Sequence, residues 1–206
     1  MAGSIPVVPP LSMIAIGAST GGTEAISTLM AGLRPPLPGI VIVQHIPAVF
    51  SRLFAERLDA ECFLHVKEAE EGETILPNTV YIAPGGKHMR VGRVGQRYWL
   101  SCRVGPPVHS VCPSVDVLFD SVAACAGSHA LGVILTGMGK DGAKGLLAMR
   151  QAGAHTIGQD QRTCVVYGMP HAAMAIGAVE WQLPLSEIAP EILRLVRLSR
   201  RTEHAE

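Results

Sequence analysis

The sequence carries no charge excess: 17 lysines and arginines are balanced by 17 aspartates and glutamates. Without a net field the chain as a whole attracts neither a nucleic-acid backbone nor an anionic lipid surface, so partners must be selected locally. No apolar run approaches the roughly 18 residues that a membrane helix requires. The opening "MAGSIPVVPPLS" places no basic stretch ahead of an apolar one. Neither a secretion signal nor membrane insertion is expected, and a cytoplasmic location is the default. The five cysteines, Cys62, Cys102, Cys112, Cys125 and Cys164, are odd in number and form no CxxC pair. That count argues against a disulfide framework and against a zinc site, and favours buried reduced thiols in a reducing compartment. No Cys/His cluster has ligand spacing, so neither a metal nor a cofactor is expected. Internal repeats and low-complexity segments are also missing.

What is present is an ordinary globular composition. With 206 residues, 48% hydrophobic and 17% charged, the chain suits one domain that buries most of its apolar surface. Pro6, Pro9 and Pro10 give residues 1–11 the character of a flexible leader or linker remnant, followed by a domain over 12–200 and a tail over 201–206.

Short β-branched runs, "MIAI" (13–16), "GIVIV" (39–43), "LGVIL" (131–135) and "HTIG" (155–158), read as parallel strands buried on both faces. Between them Ala25, Ile26, Leu29, Met30 and Leu33 recur at helical spacing, as do Phe50, Leu53, Phe54, Arg57 and Leu58. "PSVDVLFDSVAACAG" offers Ser114 as N-cap, Val115, Leu118, Phe119 and Val122 as an apolar stripe, and Gly127 as a stop. The alternation predicts an α/β fold with an open, mostly parallel, doubly wound sheet flanked by helices. "TVYIAPGGKHMRVGRVGQRYWLSCRV" breaks into three extended pieces, which predicts an antiparallel excursion around residues 79–104 and a mixed sheet. Pro170 and Gly177 bracket a short helix, and "PEILRLVRLSRR" forms a last one whose arginines make a solvated face.

Three polar residues follow predicted strands: Ser19 in "IAIGASTGG", His45 in "VIVQHIP" and Asp141 in "GVILTGMGKDG". In an open parallel sheet the carboxyl ends of the strands share one edge, where ligands bind. A serine hydroxyl becomes a nucleophile when a neutral imidazole takes its proton, and a carboxylate orients that imidazole and stabilises its cation. "GASTG" also satisfies G-x-S-x-G, although the order serine, histidine, aspartate is not the usual α/β-hydrolase order. Each residue alone has a plainer reading. Ser19 or Thr20 can cap the helix after Gly22, Asp141 can cap the helix after Gly142, and His45 can be a strand-end histidine. His88 and His109 fall in predicted loops and stay open as substrate contacts, whereas His65, His129, His155, His171 and His204 read as structural. A rival reading takes "GASTGG" as the phosphate cradle of a nucleotide-binding module. It lacks the spacing of G-x-G-x-x-G, the Gly-Lys-Ser/Thr of a P-loop, and an acidic residue after the second strand.

"IAIGASTGGTEAI", "VQHIP" with "FAERL", "VKEAEEGE", "YIAPGGKHM", "GPPV", "PSVDVLFDSVA", "GVILTGMGKDGAKGLLAMRQAGA" and "CVVYGMPHAA" occur in that order. With them the chain resembles the catalytic domain of bacterial chemotaxis protein-glutamate methylesterases, from Met13 to about Leu185. The resemblance implies hydrolysis of glutamyl methyl esters on the cytoplasmic helices of chemoreceptors, with methanol released, and deamidation of receptor glutamines. It places the nucleophile at Ser19, the base at His45 and the orienting acid at Asp141. It adds Met138 as an oxyanion donor through its backbone N–H, and Thr20 beside the nucleophile. The methylated receptor is the implied partner, with an upstream receiver domain that controls access and that this chain does not contain. The family's often basic stretch between "GPPV" and "PSVD" is "HSVC" here, residues 109–112. A catalytically silent receptor-docking domain stands as a further alternative.

Overall fold

The structure is a computed structural model that describes residues 10–203, with side chains through 200. Most of the leader and His204 therefore lie outside the described residues. In chain order the elements are β1 (Met13–Ala18), α1 (Gly22–Gly32), β2 (Gly39–Gln44), α2 (Ala48–Glu61), β3 (His65–Glu68), β4 (Thr79–Ile82), β5 (His88–Val94) and β6 (Arg97–Arg103). Then come α3 (Val115–Ala126), a 3-10 turn (Gly127–His129), β7 (Ala130–Ile134), α4 (Ala143–Gln151), β8 (His155–Gln159), α5 (Met169–Ala175), β9 (Trp181–Leu183) and α6 (Leu185–Glu203).

Seven strands form one sheet in the order β3-β4-β2-β1-β7-β8-β9, and every pairing in it is parallel. Its strands are buried on both faces because alternate side chains enter two separate cores. Ile14, Ile16, Ile40, Ile42 and Val133 pack with α1, α2 and α6 through Ile26, Leu29, Phe54, Leu58, Ile188 and Ile192. Met13, Ala15, Val41, Val43 and Ile134 point the other way, against Leu118 and Phe119 of α3, Leu146 and Met149 of α4, Met169 of α5 and the β5-β6 hairpin. The fold is the predicted doubly wound α/β sandwich.

Three expectations are corrected. The antiparallel excursion is narrower than 79–104: β5 and β6 pair as a hairpin of their own, from His88↔Arg103 to Val94↔Arg97. Thr79–Ile82 instead lies parallel between β2 and β3, so the main sheet is not mixed. Its Val80 and Ile82 fill one core and its Tyr81 the other, which is the burial of an interior strand. On α2 the buried stripe is Ser51, Phe54, Ala55 and Leu58, while Phe50 and Leu53 remain 54% and 55% exposed. The last helix starts at Leu185, ahead of Pro190, and reaches Glu203 within the expected tail. The sequence reading omitted β3 and β9, which are edge strands of four and three residues.

Phe119 is fully buried where α3 meets α4 and the sheet. Phe119→Ala should therefore lower stability by about 3–5 kcal/mol. Urea unfolding followed by circular dichroism measures it, and a loss below about 1 kcal/mol would show that this core can collapse around the gap.

Candidate active site

Strand β1 ends against a close helix contact. A Cβ on Gly17 would stand 2.2 Å from Val115 Cγ1, and one on Gly142 would stand 2.5 Å from the same atom. Val115, the first residue of α3, thus sits where these two positions have no side chain. The chain then turns through Gly21, whose φ of 77° suits glycine, and α1 starts with no side-chain cap. The plain reading of Ser19 or Thr20 as a cap is therefore not met. Ser19 is fixed through its backbone: its N–H donates to Thr136 O at 3.0 Å, and its carbonyl accepts from Gly22 N–H at 2.8 Å and Gln44 Nε2 at 2.8 Å.

His45 follows β2 directly. Its N–H donates to Ala18 O at 3.1 Å, and Gln44 Nε2 reaches its carbonyl at 3.1 Å. One glutamine amide therefore ties the backbone of Ser19 to that of His45. The His45 ring lies 2.8 Å from Asp141 Oδ2 through Nε2. A carboxylate only accepts, so Nε2 carries the proton and Nδ1 is the basic nitrogen. Among the described residues Nδ1 of His45 and Oγ of Ser19 have no hydrogen-bond partner.

Asp141 does not cap α4, whose N-cap is Gly142 with φ 89°. Its carboxylate sits instead at the start of α3. Oδ1 accepts from Ser114 Oγ at 2.7 Å and Asp116 N–H at 3.1 Å, and Oδ2 accepts from Val115 N–H at 2.7 Å as well as from His45. Burial pushes this carboxyl up, but the hydrogen bonds from His45, Ser114 and the N–H groups of Val115 and Asp116 outweigh it and hold it below the usual carboxylate range. The positive end of the α3 dipole adds to the same effect. Ser114, expected only as the cap of α3, serves both: it accepts from Val117 N–H at 3.4 Å and donates to Asp141.

Ser19, Thr20, His45, His109, Met138 and Lys140 line one open cleft of about 630 Å³, together with Asp141. Met138 is 72% exposed there, and among the described residues its N–H donates to nothing. The carbonyl of Thr20 is held by Thr136 Oγ1 at 3.0 Å. A larger hollow of about 700 Å³ opens near the amino ends of β1 and β2, by Leu37, Tyr98 and Val196, and none of the candidate residues lines it.

The two open histidines separate. His88 is not in a loop: it begins β5, is 7% exposed, accepts from Ser114 N–H through Nδ1 and donates through Nε2 to Pro106 O, so it braces the neighbouring loop. His109 does face the cleft, at the tip of a turn with φ 50°, and pairs through Nε2 with Asp116 Oδ2 at 3.0 Å. His109, Asp116 and Asp141 bring ligand atoms within 4.8 Å of one another, a grouping their sequence spacing conceals. Both oxygens of both carboxylates already accept from N–H or O–H donors or face an imidazole, Asp116 Oδ1 taking Gly145 N–H at 2.7 Å. The cluster is thus organised as a hydrogen-bond network. All five cysteines are free thiols; Cys102 is buried and the other four are partly exposed, so the expectation of buried thiols holds for Cys102 alone. Of the supports, Gln44 and Thr136 had no signal beyond their neighbours in the motifs.

Comparison with known proteins gives a consistent result. A family model described as CheB methylesterase matches residues 14–192. A protein-glutamate methylesterase/protein-glutamine glutaminase of Anaeromyxobacter dehalogenans is 57% identical over 185 residues, covering 90% of this chain and 52% of that protein. Its counterpart in Bordetella parapertussis is 54% identical over 182 residues, covering 88% and 52%. The chain thus spans about half the length of the curated relatives it matches. The crystal structure of the Thermotoga maritima CheB methylesterase catalytic domain superposes with a TM-score of 0.86 at 37% identity, covering 90% of this chain and 99% of that one.

A depressed carboxylate stabilises the fold at pH values above its unfolded pKa, and that contribution disappears as pH falls through the lower folded pKa. Urea unfolding of the wild type and Asp141→Asn should therefore differ by about 1–3 kcal/mol at pH 7, and the difference should shrink as pH falls below the ordinary aspartate value of about 3.9 and through the depressed pKa of Asp141. A constant difference across that range would place the stabilising charge elsewhere.

Proposed function

The chain belongs to the CheB methylesterase family, and on that premise we propose that it is a serine hydrolase which removes methyl groups from glutamyl esters on the cytoplasmic helices of chemoreceptors and deamidates receptor glutamines. The observation that carries this reading is the meeting of Ser19 with the His45–Asp141 pair in one cleft. Three neighbouring strands deliver them: β1 leads into Ser19, β2 into His45, and the loop after β7 into Asp141.

In this reading Ser19 Oγ attacks the ester carbonyl while His45 Nδ1 takes the hydroxyl proton. Asp141, kept ionised by its four donors, stabilises the imidazolium through Nε2–H. The carbonyl oxygen gains negative charge and faces the Met138 N–H, with Thr20 beside it. His45 returns the proton to the departing methoxide, which leaves as methanol. A water activated by the same nitrogen then releases the free glutamate. With a glutamine substrate the first leaving group is ammonia and the remaining steps are the same. The phosphate-cradle alternative has no support in the comparisons.

No step needs a metal, because His45 acts as base and then as acid while the ionised Asp141 in contact with it stabilises its cation. The methylated receptor is the proposed partner, and the proposed location is the cytoplasm. No helix among the described residues is long and apolar enough to cross a membrane.

Ser19→Ala and His45→Gln should each lower methanol release from methylated receptor membranes by at least about 10³-fold while the protein stays folded. A folded Ser19→Ala protein that keeps half the wild-type rate would remove Ser19 from the mechanism. A strong chelator should leave the wild-type rate unchanged, and chelator-sensitive turnover would point to metal-activated water instead.

A further inference from the structure

The charges around the cleft are unequal in their pairing. Asp141 is 2% exposed and has its oxygens occupied by four donors, one of them His45. His109 faces Asp116, so any charge it gains is matched at 3.0 Å. Lys140, between Met138 and Asp141, is different. It is exposed, it lines the cleft, and among the described residues it forms no ion pair and no side-chain hydrogen bond. The remaining lining residues are uncharged: Ser19, Thr20, Ser110, Val111, Met138 and Gly139. A substrate approaching Ser19 therefore meets one uncompensated positive charge, and no solvent-facing carboxylate lines the cleft.

We propose that Lys140 is a specificity-determining residue that pairs with a carboxylate next to the scissile ester, so that the preferred substrate is a glutamyl ester within an acidic helix. The proposal rests on the esterase reading above and names the substrate class for that site. A neutral ester gives the cleft nothing to set against Lys140, whereas a carboxylate one helical turn away lies on the same face of the substrate helix and accompanies the ester into the cleft. The pairing is solvent-exposed, so it is worth a few-fold in rate and is sensitive to salt.

The test uses the full chain and two helical peptides that each carry one glutamyl methyl ester. They differ only one turn away, where one has glutamate and the other glutamine. Wild type should show a kcat/KM ratio of about two to tenfold in favour of the acidic peptide at low salt, carried mainly by KM. At 1 M salt, where the Debye length is about 3 Å, the ratio should approach one. Lys140→Gln should bring the ratio to about one at low salt, and Lys140→Glu should invert it. Because both peptides are measured on the same protein, a general loss of stability cancels in the ratio. A wild-type ratio of one, or a preference that survives Lys140→Gln, overturns the proposal and leaves the esterase reading intact. Wild-type protein that hydrolyses neither peptide yet releases methanol from receptor membranes also overturns it, since the recognition would then lie outside one helical segment. Failure on the membranes as well would overturn the esterase reading.

Discussion

A buried carboxylate at the start of a helix organises the cleft. Isolated, the Asp141 charge would be costly to bury. Here the first backbone N–H groups of α3, the hydroxyl that caps that helix and an imidazole N–H all point at it. A helix N-terminus needs acceptors for its unpaired N–H groups, and a buried carboxylate needs donors, so each requirement satisfies the other. The imidazole is the one donor of the four that also lines the cleft. Its orientation, its tautomer and the position of its basic nitrogen follow from the way α3 begins.

This arrangement depends on close packing as much as on charge. Helix α3 reaches Asp141 because Val115 fits against Gly17 at the end of β1 and Gly142 ahead of α4, two places where a Cβ would collide with it. Gly17 in the first motif and Gly142 in the later one therefore let α3 approach the strand end, and Gly21 turns the chain into α1. Gln44 joins the two halves on the far side, with one amide on the carbonyls of both Ser19 and His45. Side chains outside the cleft thus fix the backbone of Ser19 and His45, and among the described residues the Ser19 hydroxyl and His45 Nδ1 have no hydrogen-bond partner. The segment 164–169 braces the same edge, with Gly137 N–H on Val166 O and Val165 against Gly21.

The sequence by itself determined the central strands, the helices on both faces, and the three residues after strands that converge at the carboxyl edge. These are written in local patterns: continuous β-branched runs, apolar stripes at helical spacing, and the motif glycines. The edge strands β3 and β9 escaped because a strand of three or four residues shows no reliable periodicity. "TVYI" was read into the hairpin because neighbouring extended segments look alike, and only burial of Val80, Tyr81 and Ile82 against both cores sets them apart. The role of Asp141 at a distant helix was also invisible. Sequence proximity pointed to α4, and the true partners lie 25 to 27 positions away. The direction of the imidazole, the ties from Gln44 and Thr136, the His109–Asp116 pair and the lack of a partner for Lys140 among the described residues were likewise decided by the tertiary structure. Which donors meet which acceptors depends on how helices approach strands across the sheet, and no local pattern along the chain records that approach.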